Sequence, residues 1–275
     1  MPNAGGGKKK DSDAVETNFS LIIELEQADC NSDSYNFRAW FGHYSSSGSS
    51  LPVYHLGKYG KKDLPSVIGK IANALFINKR DICDDSFTIE FFLPKELLCE
   101  SIEQWIIDAE LDEKLGNCYK LVIRSVERFR DGNMLRRLTN CWRKNQGILQ
   151  AVPKEKCCHW SNASDHKEVT KLLLSDQPDD RKVFFVLDDF SSEVKSIFTL
   201  IRYGVPFLLW PTDANHNCSQ ASEKLLSSCK TFEQLPKELR ELRSRDGISN
   251  VSLLWDNPEH IPPFSEFSGR YEPPS

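Results

Sequence analysis

The sequence predicts a mixed α/β fold: a largely parallel sheet covered by helices, led by an N-terminal strand meander. Three observations carry this. Dense apolar runs of strand type recur, as at 87–93, 183–187 and 251–255. Between them lie segments whose apolar residues return at helical spacing. The two kinds alternate, and strand–helix–strand alternation favours parallel pairing.

Residues 1–17 read as a flexible tail, because Gly5 to Gly7 and Lys8 to Lys10 leave almost nothing to bury. Leu21 to Glu26 is the first strand. In the second, Tyr35, Phe37, Ala39 and Phe41 share one face by alternation. A loop at 45–50 leads to a third strand at 51–56. The period then changes. Val67, Ile68, Ile71, Ala72 and Leu75 place a helix over 62–80. Phe87 to Leu93 returns to the strand pattern, and Pro94 ends it and opens a short helix to Cys99. Tyr119 to Ile123 is another strand, and Asn133 to Lys144 a helix with Leu135, Leu138 and Trp142 on one side.

A polar loop spans 145–164, followed by a helix over 165–174 and a buried-type strand at 183–187. Residues 193–203 form a helix, which Gly204 is placed to terminate. A strand at 205–210, a charged helix at 231–245 and a last strand at 251–255 complete the series. The chain from 261 is proline-rich. Residues 18–265 are expected to form one domain and 266–275 a second tail.

Bulk properties narrow the function. The chain has 275 residues, 39% of them apolar and 27% charged, enough for a substantial core. A net charge of −5 argues against general attraction to nucleic acid or anionic membranes, leaving room for a local basic patch. No apolar run approaches the length that spans a bilayer. The N-terminus has charge without a following apolar stretch, unlike a secretory signal. Nine irregularly spaced cysteines read as reduced thiols. A cytoplasmic protein is expected.

The usual catalytic signatures are missing. No Gly-x-x-x-x-Gly-Lys-Ser/Thr loop is present to cradle phosphates, and no Gly-x-Ser-x-Gly aims a serine nucleophile. Asp188 and Asp189 follow an apolar strand like the acidic end of a nucleotide-hydrolysing site, but they read equally as the start of the next helix. Cys157, Cys158, His159 and His166 lack the paired spacing of a zinc site. No metal or cofactor is expected.

The densest electrostatic feature is basic. Lys120, Arg124, Arg128, Arg130, Arg136, Arg137, Arg143 and Lys144 have only Glu127 and Asp131 among them as acidic residues. This stretch reads either as a solvated face or as a docking surface for an acidic partner or a phosphate-bearing molecule.

Three segments together resemble one family. Phe91 to Trp105 carries a strand ending in Leu-Pro, a Leu-rich turn and Trp105; Leu121 to Arg128 follows, with Arg124, Ser125, Glu127 and Arg128. Tyr203 to Pro211 gives a Gly-Val-Pro strand ending in Trp210-Pro211. Leu253 to Pro258 gives Leu-Trp-Asp-x-Pro, with Trp255 and Asp256. In this order the segments resemble the VMAP-C domain, over about residues 19–265. The resemblance implies a connector in bacterial conflict systems, beside NTPase switches of MoxR or STAND type and adaptors that recruit trypsin-like or caspase-like proteases. It implies protein partners and no catalysis by this module. Family members commonly carry a further domain upstream, and here a short tail precedes the matching region.

The motif residues have their own physical readings. Ser125 can cap the turn after its strand, and Glu127 can pair with an arginine. Arg124 and Arg128 either fasten the turn to a distant carboxylate, Asp256 or Asp188, or form an anion site. Trp105, Trp210 and Trp255 read as core or rim packing. Two other functions stay open: a hydrolase or nuclease using Asp188 and Asp189 at the C-terminal sheet edge, and a substrate or inhibitor of a protease effector, cut in the 145–164 loop or the tails.

Overall fold

A computed structural model describes residues 19–29, 33–43, 52–78, 86–149, 158–161, 166–175, 183–187, 194–213, 218–246, 248 and 250–263. The strands are β1 (Phe19–Gln27), β2 (Ser34–His43), β3 (Val53–Gly60), β4 (Phe87–Leu93), β5 (Ile106–Asp108), β6 (Glu113–Lys114), β7 (Lys120–Ser125), β8 (Cys158–Ser161), β9 (Phe184–Leu187), β10 (Phe207–Pro211) and β11 (Val251–Trp255). The helices are α1 (Leu64–Asn78), α2 (Leu115–Cys118), α3 (Val126–Arg130), α4 (Gly132–Lys144), α5 (Gln146–Leu149), α6 (His166–Ser175), α7 (Val194–Tyr203), α8 (Cys218–Ser228) and α9 (Leu235–Asp246).

Nine strands form one sheet in the order β3-β2-β1-β4-β7-β11-β10-β9-β8, and β5 pairs with β6 in a separate hairpin. The expected α/β class and N-terminal meander are present. The sheet is built as two parallel blocks. β1, β4, β7 and β11 run one way; β10, β9 and β8 run the other. The blocks meet where β11 lies antiparallel to β10.

The reversal has a simple cause. One helix between two strands returns the chain to its starting edge and makes them parallel. Two antiparallel helices leave it at the opposite edge. The sequence reading found one helix between β10 and β11; the chain forms two, α8 and α9.

Helix α8 was concealed by its composition. Cys218, Ala221, Ser222, Leu225 and Leu226 are its buried residues, spaced as a helical stripe should be. Small and polar side chains weaken that stripe. Ser222 is tolerated inside because its hydroxyl donates to the Cys218 and Ser219 carbonyls. The expected polar loop at 145–164 likewise contains α5 and the edge strand β8. The expected short helix after Pro94 is a 3-10 turn over Lys95–Leu97.

The largest apolar cluster lies under α1 and α7, where Ile68, Leu75, Leu200 and Ile201 meet Ile23, Phe91 and Trp210. A second joins α8 and α9 to β9, β10 and β11. A third, smaller cluster packs Phe129, Leu135 and Leu138 on Ile22 and Phe92. Helix α7 ends as predicted. Gly204 has φ of 90°, its amide donates to Ile201 O, and Val205 N donates to Leu200 O. A side chain there would also meet the Arg137 backbone carbon at 2.7 Å, so α4 crosses the end of α7 at close range.

Candidate functional site

The motif residues converge at the seam between the two blocks. Arg124 lies on β7, Glu90 in the middle of β4, Arg128 on α3, and Asp256 immediately after β11. All four are buried. Arg124 donates from Nη1 to Glu90 Oε2 at 3.1 Å and from Nε to Asp256 Oδ1 at 3.3 Å. Its Nη2 donates to the carbonyls of Asn257 and His260, at 2.7 and 2.9 Å. Its guanidinium carbon lies 4.8 Å from the ring centroid of Phe92 and 4.7 Å from that of Phe129.

Arg128 donates from Nη1 to Asp256 Oδ2 and from Nη2 to Ile201 O at 2.5 Å. Asp256 N in turn donates to Pro206 O at 2.9 Å. The two arginines thus tie β4, β7, the end of β11 and the corner between α7 and β10 into one knot.

Two guanidinium groups face two carboxylates, so formal charges balance. Burial presses the Asp256 carboxyl upward, and the guanidiniums, Arg128 first, pull against it. Burial lowers Arg128, with Asp256 opposing. A balanced, enclosed cluster offers a ligand little net field and no open donor fork. Its chemistry is that of a clamp fixing geometry.

The other motif residues surround this clamp. Ser125 caps α3, its hydroxyl accepting from Arg128 N at 3.4 Å and donating to Glu127 Oε2 at 2.9 Å. Glu127 pairs with no arginine among the described residues. Its other oxygen accepts from Lys95 N at 2.8 Å, which fastens the turn after β4 to α3. Trp210 is in the core and donates from Nε1 to Leu98 O at 3.1 Å. Trp105 is half-buried, edge-on to Phe91, and Trp255 is half-buried beside Phe207.

The basic stretch does not form one surface. Lys120, Arg124 and Arg128 point inward. Arg130 bridges Glu24 at 2.6 Å and Glu26 at 2.8 Å. Arg136, Arg137 and Arg143 are exposed on α4. Asp188, Asp189, Cys157 and most of the 145–164 segment lie outside the described residues, as do the side chains of Cys158, His159 and His166. Among the described residues no cluster of His, Cys, Asp and Glu is placed to hold a metal ion, and no helix is long and apolar enough to cross a membrane.

A second buried charge group went unnoticed in the sequence. Glu103 accepts from Thr212 Oγ1 at 2.5 Å and from Ser252 Oγ at 2.8 Å. Arg243 donates to Val251 O at 2.6 Å nearby. Thr212 directly follows β10 and Ser252 is the second residue of β11, so this group holds the far end of the same seam. The strand that joins the blocks is fixed by buried charge at both ends.

Residues 33–258 match the family model described as the vWA-MoxR associated protein C-terminal domain, VMAP-C. The chain belongs to the VMAP-C family. No curated protein and no solved structure matches it. The matched region begins at the approach to β2 and ends just past Asp256. It therefore takes in every strand but β1 and the whole clamp apart from the His260 carbonyl. Arg124, Arg128 and Asp256 lie inside the matched region and form one interlocked unit in this VMAP-C chain.

Proposed function

We propose that this VMAP-C chain is a non-catalytic connector that binds protein partners in a bacterial conflict system. The partners are an NTPase switch of MoxR or STAND type, or a protease effector of trypsin-like or caspase-like kind. The family description, which associates the domain with vWA and MoxR proteins, supports the setting.

One observation carries the reading. Three charged motif residues are turned inward and neutralised: Arg124, Arg128 and Asp256 are buried and joined through ion pairs that also take in Glu90 on β4. A catalyst aims such groups at substrate in a cleft. A connector needs a rigid frame, and a clamp at the sheet seam supplies one. The cytoplasm, where such partners work, is the proposed location.

Co-purification of the tagged chain with the products of neighbouring genes tests this. A stable complex with an NTPase or a protease-type protein is expected. A chain that stays alone in the presence of each of them overturns the connector reading.

A further inference from the structure

Strand β11 is paired unequally on its two sides. Its register with β10 runs along the whole strand, from Val251 to Trp255, whereas with β7 it has the single pair Leu254 and Ile123. Strands β4 and β7, also parallel, are in register from Thr88 to Leu93. The β7–β11 ladder is therefore the thinnest junction in the middle of the sheet. A cavity of about 10 Å³ lies at this junction. Leu121 and Ile123 of β7, Ser252 and Leu253 of β11, and the charged pair Glu103 and Arg243 are among the residues lining it.

Arg243, on α9, and Glu103, in the 3-10 turn Ile102–Gln104, are both almost wholly buried, at 3% and 1% exposure. Arg243 Nη2 donates to Val251 O at 2.6 Å. Its Nε and Nη1 are buried and have no hydrogen-bond partner among the described residues, so neither bonds Glu103. Glu103 accepts one hydrogen bond on each oxygen, from Thr212 and from Ser252, and each oxygen has a second lone pair to offer. Buried N–H groups of this kind are almost always satisfied, by protein or by ordered water.

The chemistry of the lining selects the occupant. A guanidinium only donates, and a carboxylate only accepts. A bridge between them must accept from the one and donate to the other, as a hydroxyl-bearing molecule does. The two formal charges already cancel, so an added ion would be an uncompensated charge in the interior. The volume admits a single water and no larger hydroxyl compound. We infer that this cavity is a binding site for one water molecule, which accepts from Arg243, donates to Glu103 and joins the pair across the β7–β11 junction.

A crystal structure of the full chain, at a resolution that shows ordered waters, tests this. A density peak is expected in the cavity, within about 3.2 Å of Arg243 Nε or Nη1 and of a Glu103 oxygen. The structure of the Arg243→Met variant should lack that peak, because the donors that hold the water are gone. A bromide-soaked crystal of the parent should show no anomalous signal there.

Ordered Arg243 and Glu103 side chains with no peak between them overturn the inference, as does a guanidinium that bonds Glu103 directly. A peak that persists in R243M overturns the role given to Arg243. Anomalous signal from bromide in the cavity overturns the inference too, because the site would then take an anion. If R243M does not fold, the parent crystals with and without bromide decide alone.

Discussion

Arg128 and Arg136 are eight residues apart, yet the protein uses them in opposite ways. Arg128 is sealed between Asp256 and the Ile201 carbonyl, while Arg136 stands in solvent on α4. The same contrast divides the whole basic stretch. The β7–α3 part turns inward because its strand alternates through a sheet covered on both faces. The α4 part turns outward because Leu135 and Leu138 take the core-facing stripe and leave the arginines on the other side. A run of basic residues is therefore not a surface until the secondary structure beneath it is known.

The sharpest way to break this comparison is at Arg128. Arg128→Met removes one of two cations from the buried Asp256 carboxylate and frees the Ile201 carbonyl. Breaking such a pair should cost about 3–5 kcal/mol, read as a lowered urea midpoint. Asp256→Asn should cost a similar amount, because it leaves two buried guanidiniums against the single carboxylate of Glu90. The double variant should cost less than the sum, because the two losses share one interaction. Additive effects would show that Arg128 and Asp256 do not act as a unit.

Much of the frame was legible because burial and periodicity leave marks in sequence. The apolar runs located β4, β9 and β11, and the Gly204 terminus was visible as a helix followed by glycine. β8 was not, since Cys158-His159-Trp160-Ser161 lacks an apolar run and sits at the sheet edge. The clamp was half visible. Arg124 and Arg128 stood out, and Asp256 was one of two carboxylates considered for them. Glu90 was overlooked, although a lone carboxylate inside Phe-Thr-Ile-Glu-Phe-Phe-Leu signals a buried partner. Glu103 and Arg243 gave no comparable signal, because each lies in an ordinary polar context and 140 positions of chain separate them.

Glu103 offers a subtler probe of buried charge than Arg128. Burial pushes its carboxyl up from the usual 4.5, with Arg243 opposing. The folded protein then keeps a proton at pH values where the unfolded chain has released it. The resulting stabilisation is complete below the unfolded value and is lost as pH rises through the folded one. Glu103→Gln removes this titration while keeping the shape. Urea midpoints of the parent relative to E103Q should therefore fall as pH rises from acidic towards neutral. A difference that stays flat with pH would mean that Glu103 holds the same charge in both states.

The smallest effects are expected on α4. Arg136→Gln loses only a long contact to the exposed Asn133, so it should move stability by no more than about 0.5 kcal/mol. Arg137→Gln should cost somewhat more, about 0.5–1 kcal/mol, because its guanidinium meets the last carbonyls of α7 at the negative end of that helix. The ordering matters more than the values. If R136Q unfolded as readily as R128M, the exposed arginines would belong to the frame as much as the buried ones. If both stay near the parent in urea while R128M unfolds early, the division between the buried clamp and the solvent face of α4 holds on both sides.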